Sequence, residues 1–318
     1  MKKNKPLKIL VFNFNNVLTD VIEELKNRGH IILPLDGKES TAQKADVIVL
    51  WNETNLGGWK DWIRKYRENG KKVILVQHGR RGTSRIYPPF NEKLESEIVC
   101  IWGEADRKRL TSCGVPNERI HTTGTTIFKH LKPRIKHDGF NVIFSPEHWG
   151  GVEVAENFII NSTLQKLTKE NKNVKVITKL LENEHNPNIY QNPVVSHRGM
   201  LDHLDICADV LSIADMIVGV SESTFEMLAQ TLDIPIVIAD IWVPKASSDG
   251  DERYKLQVRE YSKGCTRIKD ITKLNETIMY HLKHPELLRE ERKQTIIDDG
   301  GYDIKDSLDR ICNLICSK

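Results

Sequence analysis

Two hydrophobic patterns alternate along the chain. Short continuous apolar runs are separated by segments in which apolar positions recur at helical spacing. In the first half the runs at 7–12, 30–33, 46–51, 72–77, 98–102 and 119–122 predict strands. The intervening periodic stretches at 16–27, 59–67 and 104–112 predict helices. Residues 129–138 are charged, contain Pro133 and lack apolar periodicity, so they read as a linker. The alternation then restarts, with strands expected at 141–144, 174–178, 194–195, 216–220 and 234–239. Helices are expected at 152–168, 204–213 and 223–231, and further helices at 271–282, 285–295 and 304–316. Strands alternating with helices call for parallel sheets covered on both faces.

The expected architecture is α/β, with two Rossmann-like, doubly wound parallel-sheet domains in tandem. Residues 1–130 form the first domain and 138–300 the second, and 301–318 form a C-terminal helix packing back on the first. At 318 residues the chain is comfortable for two domains. Ligands of open parallel sheets bind beyond the carboxyl ends of the strands, so functional residues are sought just after each run.

Composition changes this picture little. The 39% hydrophobic and 29% charged content suits a globular protein, and no apolar stretch approaches the roughly 20 residues needed to span a bilayer. A cytoplasmic protein is expected, with peripheral membrane association open. The six cysteines form no Cys-x-x-Cys pair and read as buried free thiols. A net charge of +3 does not by itself point to nucleic acid.

Several strand ends carry candidate chemistry. Gln77, His78 and Gly79 close the fourth run. A histidine there has the right acidity to act as general base on a hydroxyl, or it simply hydrogen-bonds its loop. Arg80, Arg81 and Arg85 follow, either as ligands for a charged acceptor or as a solvated loop. Ser221, Glu222, Ser223 and Thr224 follow the 216–220 run and open an amphipathic helix. Hydroxyls beside a helix N-terminus suit a diphosphate, and Ser221 or Ser223 with Glu226 also reads as a capping box. His148 precedes Gly150 and Gly151 after the first strand of the second domain, and Lys179 is placed at the end of the 174–178 strand. His197 and Arg198 are placed after the 194–195 strand, and Asp240 and Tyr254 are weaker candidates. No His-x-x-x-His, Glu-x-x-His or Asp-x-Asp constellation stands where it would hold a metal, so no metal is expected.

Three stretches together resemble the GT-B glycosyltransferase superfamily, in particular bacterial surface-polysaccharide enzymes and the CDP-glycerol glycerophosphotransferase group. They are Val76-Gln77-His78-Gly79; Trp102-Gly103-Glu104 with Cys113-Gly114-Val115-Pro116 and Thr123-Gly124; and Ala214-Asp215 through Ser221-Glu222-Ser223-Thr224 to Asp233-Ile234-Pro235. The resemblance implies two domains facing a cleft, an acceptor domain first and a nucleotide-donor domain second. It implies an inverting transfer of sugar from a nucleotide-diphosphate donor to a carbohydrate or other hydroxyl acceptor, with no cofactor beyond the donor. By that resemblance His78 is the base, and Ser221, Ser223 and Thr224 belong to the donor-phosphate helix. From their places beside the strand ends, Gln77, Gly79, Arg80 and Arg81 are expected to meet the acceptor, and Glu222, Lys179, His148 and His197 the donor. The second His-Pro element usual in glycerophosphotransferases reads Thr178-Lys179-Leu180 here. A CDP-polyol phosphotransferase, a sugar-nucleotide epimerase, a nucleic-acid-modifying glycosyltransferase and a non-catalytic nucleotide-binding scaffold remain the alternatives.

Overall fold

A computed structural model of the chain describes residues 5–12, 18–35, 39–51, 53, 59–77, 79, 94–146, 148–149, 152–153, 155–181, 190–197, 201–220, 222–241 and 262–317. The chain forms two compact units. One comprises Met1–Thr126 with Ile297–Lys318, the other Ile127–Ile296. Among the described residues no helix is long and apolar enough to cross a membrane.

The first unit contains strands β1 (Lys8–Phe12), β2 (Ile31–Leu33), β3 (Val47–Leu50), β4 (Lys72–Val76), β5 (Ile98–Ile101) and β6 (Ile120–Thr122). Helices α1 (Thr19–Asn27), α2 (Glu39–Gln43), α3 (Trp59–Glu68) and α4 (Glu104–Ser112) lie between them. The strands form one parallel sheet in the order β2-β1-β3-β4-β5-β6.

The second unit opens with β7 (Phe140–Ser145), followed by a short antiparallel pair, β8 (His148–Trp149) and β9 (Val152–Glu153). Then come α5 (Ala155–Glu170), β10 (Val174–Leu181), β11 (Val194–His197), α6 (Leu201–Ser212), β12 (Met216–Gly219), α7 (Thr224–Thr231), β13 (Ile236–Ala239) and β14 (Thr266–Ile268). Helices α8 (Leu274–Lys283), α9 (Arg289–Gly300) and α10 (Ser307–Cys316) complete the chain. The parallel sheet runs β11-β10-β7-β12-β13-β14. Counted in order of appearance this is 3-2-1-4-5-6, the order of the dinucleotide-binding fold, with its switch point between β7 and β12.

The continuous apolar runs of the first sheet have a direct cause. Alternate strand residues point to opposite faces, and both faces are covered. Leu10, Ile48, Val73, Leu75 and Val99 pack under Ile63 and Tyr66 of α3 and Leu110 of α4. Ile9, Val11, Val47, Val49, Ile74 and Cys100 pack under Val21 and Leu25 of α1 and under Ile311, Cys312 and Ile315 of α10. The C-terminal helix therefore supplies part of the first unit's core. It is pinned by Arg28, which pairs with Asp309 and donates to Asn313 Oδ1 at 2.8 Å. At the other end Lys72 Nζ donates to the carbonyls of Leu314 and Ser317, each at 2.7 Å, satisfying acceptors a helix C-terminus leaves open.

Several predicted boundaries move. β10 runs on to Leu181, because β11 pairs with it from Thr178↔Val194 to Leu181↔His197. Lys179 therefore lies inside a strand, and His197 is the last residue of β11 instead of following it. The polar Thr178-Lys179 pair interrupts the apolar run, yet backbone pairing on both edges carries the strand through it. The helix expected from residue 152 begins at Ala155, since Val152 and Glu153 pair with Trp149 and His148. The linker is strapped down: Ile135 N–H donates to Ser212 O at 2.7 Å, and Arg134 binds Ala214 O at 2.6 Å and Asp215 at 2.9 Å.

Candidate functional site

His78, Arg80, Arg81, Arg85, Arg198, Ser221 and Tyr254 lie outside the described residues. The remaining candidates fall at the carboxyl ends of the two sheets, and each sheet is taken by itself.

In the first unit Gln77 follows β4 and is buried. Its Nε2 donates to Asp106 Oδ2 at 2.7 Å and to Gly79 O at 2.9 Å, and its Oε1 accepts from Trp102 N–H at 2.9 Å. Trp102 Nε1 in turn donates to Gln77 O at 2.9 Å. Both amide hydrogens are thus committed inside the protein. Asp106, in the first turn of α4, is also buried, and its other oxygen accepts from Arg109 Nη1 at 3.1 Å. Burial pushes the Asp106 carboxyl above the usual carboxylate range, while Arg109 and the Gln77 hydrogen bond oppose that shift. Arg109 Nη2 stands 3.6 Å from Asp299. A polar network therefore runs from the returning C-terminal segment to the end of β4, and its members Asp106, Arg109 and Asp299 were not singled out for it by sequence. Their only signal was the Trp102-Gly103-Glu104 stretch. Its glycine is required, because a Cβ at Gly103 would stand 2.0 Å from the Asp298 carbonyl oxygen.

In the second unit the switch point places Gly219 of β12 in register with Ser145 of β7. Thr178 of β10 pairs with Phe144, so Lys179 stands level with Ser145 on the other side. Half-buried Lys179 holds its Nζ 5.0 Å from the centre of the Phe225 ring, in the first turn of α7. Structure thus brings together the ends of β7, β10 and β12, the α7 N-terminus and one cation.

That N-terminus carries a capping box. Ser223 Oγ accepts from Phe225 N–H at 3.2 Å, and Glu226 accepts from Ser223 N–H at 2.7 Å and from the Ser223 hydroxyl. The hydroxyl proton of Ser223 is therefore already donated. Glu222, nominally a donor ligand, is buried and accepts from Gln230 Nε2 at 3.1 Å and from the amide and hydroxyl of Ser262, tying residue 262 to α7. Thr224 is the first residue of α7. His148 pairs with Glu153 in the short hairpin, His197 ends β11, and Asp240 is ion-paired with Arg267. All six cysteines are free, and burial pushes the Cys100 and Cys312 thiols up to about 12. Among the described residues no group of three His, Cys, Asp or Glu side chains is arranged to hold a metal ion.

The sequence matches no protein-family model and no curated protein. Solved structures do match in fold. The wall teichoic acid polymerase TagF aligns with 98% of this chain and 89% of its own, at 12% identity and a TM-score of 0.62. UDP-GlcNAc 2-epimerase from Neisseria meningitidis, bound to UDP-GlcNAc, aligns over 97% and 99% at 12% identity and a TM-score of 0.59. The S. aureus MnaA–UDP structure aligns over 97% and 96% at 12% identity and a TM-score of 0.60. With its two six-stranded parallel sheets and flanking helices, the chain has the Rossmann-like GT-B fold.

Proposed function

We propose that this GT-B protein is a glycosyltransferase that moves a sugar from a nucleotide-diphosphate donor to a hydroxyl acceptor. The observation that carries the reading is the second unit's switch point. There the ends of β7 and β12, the adjoining β10, the positive N-terminus of α7 and the Lys179 ammonium lie together at the carboxyl edge of the sheet, an arrangement suited to a diphosphate. With Ser223 and Glu222 engaged internally, the diphosphate ligand in this reading is the Lys179 ammonium beside the α7 N-terminus. His78 removes the acceptor proton as the hydroxyl attacks the anomeric carbon. The cation and the helix N-terminus stabilise the leaving diphosphate.

The test is a thermal-shift titration with UDP, CDP, GDP, ADP and dTDP and their monophosphates, on wild type and Lys179→Ala. A diphosphate at about 100 times its Kd should add about 2.7 kcal/mol. It should outperform its monophosphate, and Lys179→Ala should remove that advantage. No shift with any nucleotide would sink the reading. A second reading, a sugar-nucleotide epimerase, is supported by the fold match to the UDP-GlcNAc 2-epimerase from Neisseria meningitidis. Incubating the donor without acceptor separates the two, since only an epimerase returns a new nucleotide sugar.

A further inference from the structure

In the second unit Lys179 brings a positive charge to a place that is already positive. Its ammonium lies over the Phe225 ring, 5.0 Å from the ring centre, and Phe225 is the second residue of α7. A helix N-terminus carries partial positive charge, so a cation beside it is disfavoured unless an anion joins it. Among the described residues no carboxylate takes that part, for Lys179 makes no hydrogen bond and no ion pair with them. The two carboxylates of the α7 cap are turned to other donors. Glu226 accepts from the amide and hydroxyl of Ser223, and Glu222 accepts from Gln230 and Ser262. Phe225 is firmly seated: it is 2% exposed, and its N–H donates to Ser223 Oγ. A ring fixed in this way offers the ammonium its negative face without neutralising the charge.

We propose that Phe225 is a positioning residue for Lys179: its buried ring holds the ammonium, unneutralised, against the positive end of α7, and so favours an anion of more than one charge, a diphosphate over a monophosphate. This rests on the reading of Lys179 as the diphosphate ligand, whereas the contact between ring and ammonium stands without it. Phe225 is not itself a phosphate ligand, and its contribution is preorganisation. A free lysine that must be ordered as the anion arrives loses part of the attraction to its own ordering, and a lysine already seated does not. A carboxylate in place of the ring would seat the ammonium but neutralise it. An aliphatic side chain there would leave it charged but unseated.

The experiment has two parts, both on the full chain. The first is NMR of the Lys179 side chain, assigned with Lys179→Ala. In wild type and in Phe225→Tyr its Hε signals should lie upfield of those of the other lysines, as protons over an aromatic face do. Phe225→Leu should return them to the common position. Lys179 Hε signals at the common position in wild type overturn the proposal, whether or not any variant folds. The second part measures Kd for UDP, CDP, GDP, ADP and dTDP and their monophosphates. Phe225→Leu should weaken the preferred diphosphate about threefold or more. Its monophosphate should weaken less, so the preference narrows, and Phe225→Tyr should keep both near wild type. Met227→Leu, a buried change of similar volume on the same helix, controls for loosened packing and should leave the preference intact. A preference undiminished in folded Phe225→Leu, or diminished as much in Met227→Leu, overturns the positioning role and leaves Lys179 as the ligand. No nucleotide bound by wild type overturns the diphosphate reading and the proposal with it.

Discussion

The carboxyl edges of the two sheets differ in what they do with their polar residues. At the end of β4, Gln77 is buried and both its amide hydrogens point into the protein. Within β10, level with the carboxyl end of β7, Lys179 is half-buried, with its ammonium over an aromatic ring beside a helix N-terminus. A strand followed by a polar residue looks the same in both places along the sequence. Their partners separate them: one residue is tied to Asp106, Gly79 and Trp102, and the other holds its charge beside a helix N-terminus. Within the second edge the same test divides Ser223 and Glu222, engaged by Glu226, Gln230 and Ser262, from Lys179.

The comparison is broken most severely at Gly103. Gly103→Ala places a methyl group 2.0 Å from a backbone carbonyl of α9. It should cost about 3 kcal/mol, seen as a lower urea midpoint, because backbone must move to admit it. An unchanged midpoint would mean that the seat of the returning segment is soft. Ser223→Ala should cost about 1 kcal/mol by removing the α7 cap. Loss of nucleotide-dependent stabilisation well beyond that amount would show Ser223 meeting the ligand after all.

A smaller effect concerns His281 in the second unit, whose Nε2 lies 2.8 Å from Thr266 Oγ1 and whose Nδ1 is buried without a partner. Burial, then Arg292 and His284, hold its pKa below the usual histidine range. A lowered folded-state pKa means that the unfolded chain binds the proton first. Stability is then complete above about pH 6.5 and falls as the pH drops below it. Denaturation midpoints at pH 7.5 and 5.5 should fall more in wild type than in His281→Gln, and equal falls would refute the assignment. Lys179→Met should have the smallest effect on stability, within about 0.5 kcal/mol, since the side chain is half-buried and its ring contact is weak. A large loss would make Lys179 a structural residue like Gln77.

Most strands were legible because both faces of each sheet are covered, which leaves continuous apolar runs such as Val47–Leu50. The α7 capping box was legible from Ser223 and Glu226, because capping is local. The short hairpin at 148–153 and the β14 strand escaped, being two or three residues each and defined by pairing instead of periodicity. The Gln77 network escaped for a related reason: its members lie at 77, 102, 106, 109 and 299, with no spacing that announces contact.

By itself the sequence determined the alternation of strand and helix, the tandem of two parallel sheets and the local caps. Those depend on side-chain periodicity and on hydrogen bonds between residues a few positions apart. Tertiary structure alone decided the strand orders and the roles of the polar strand ends. Such outcomes depend on which distant groups meet, and a buried polar atom takes its role from the partner that satisfies it.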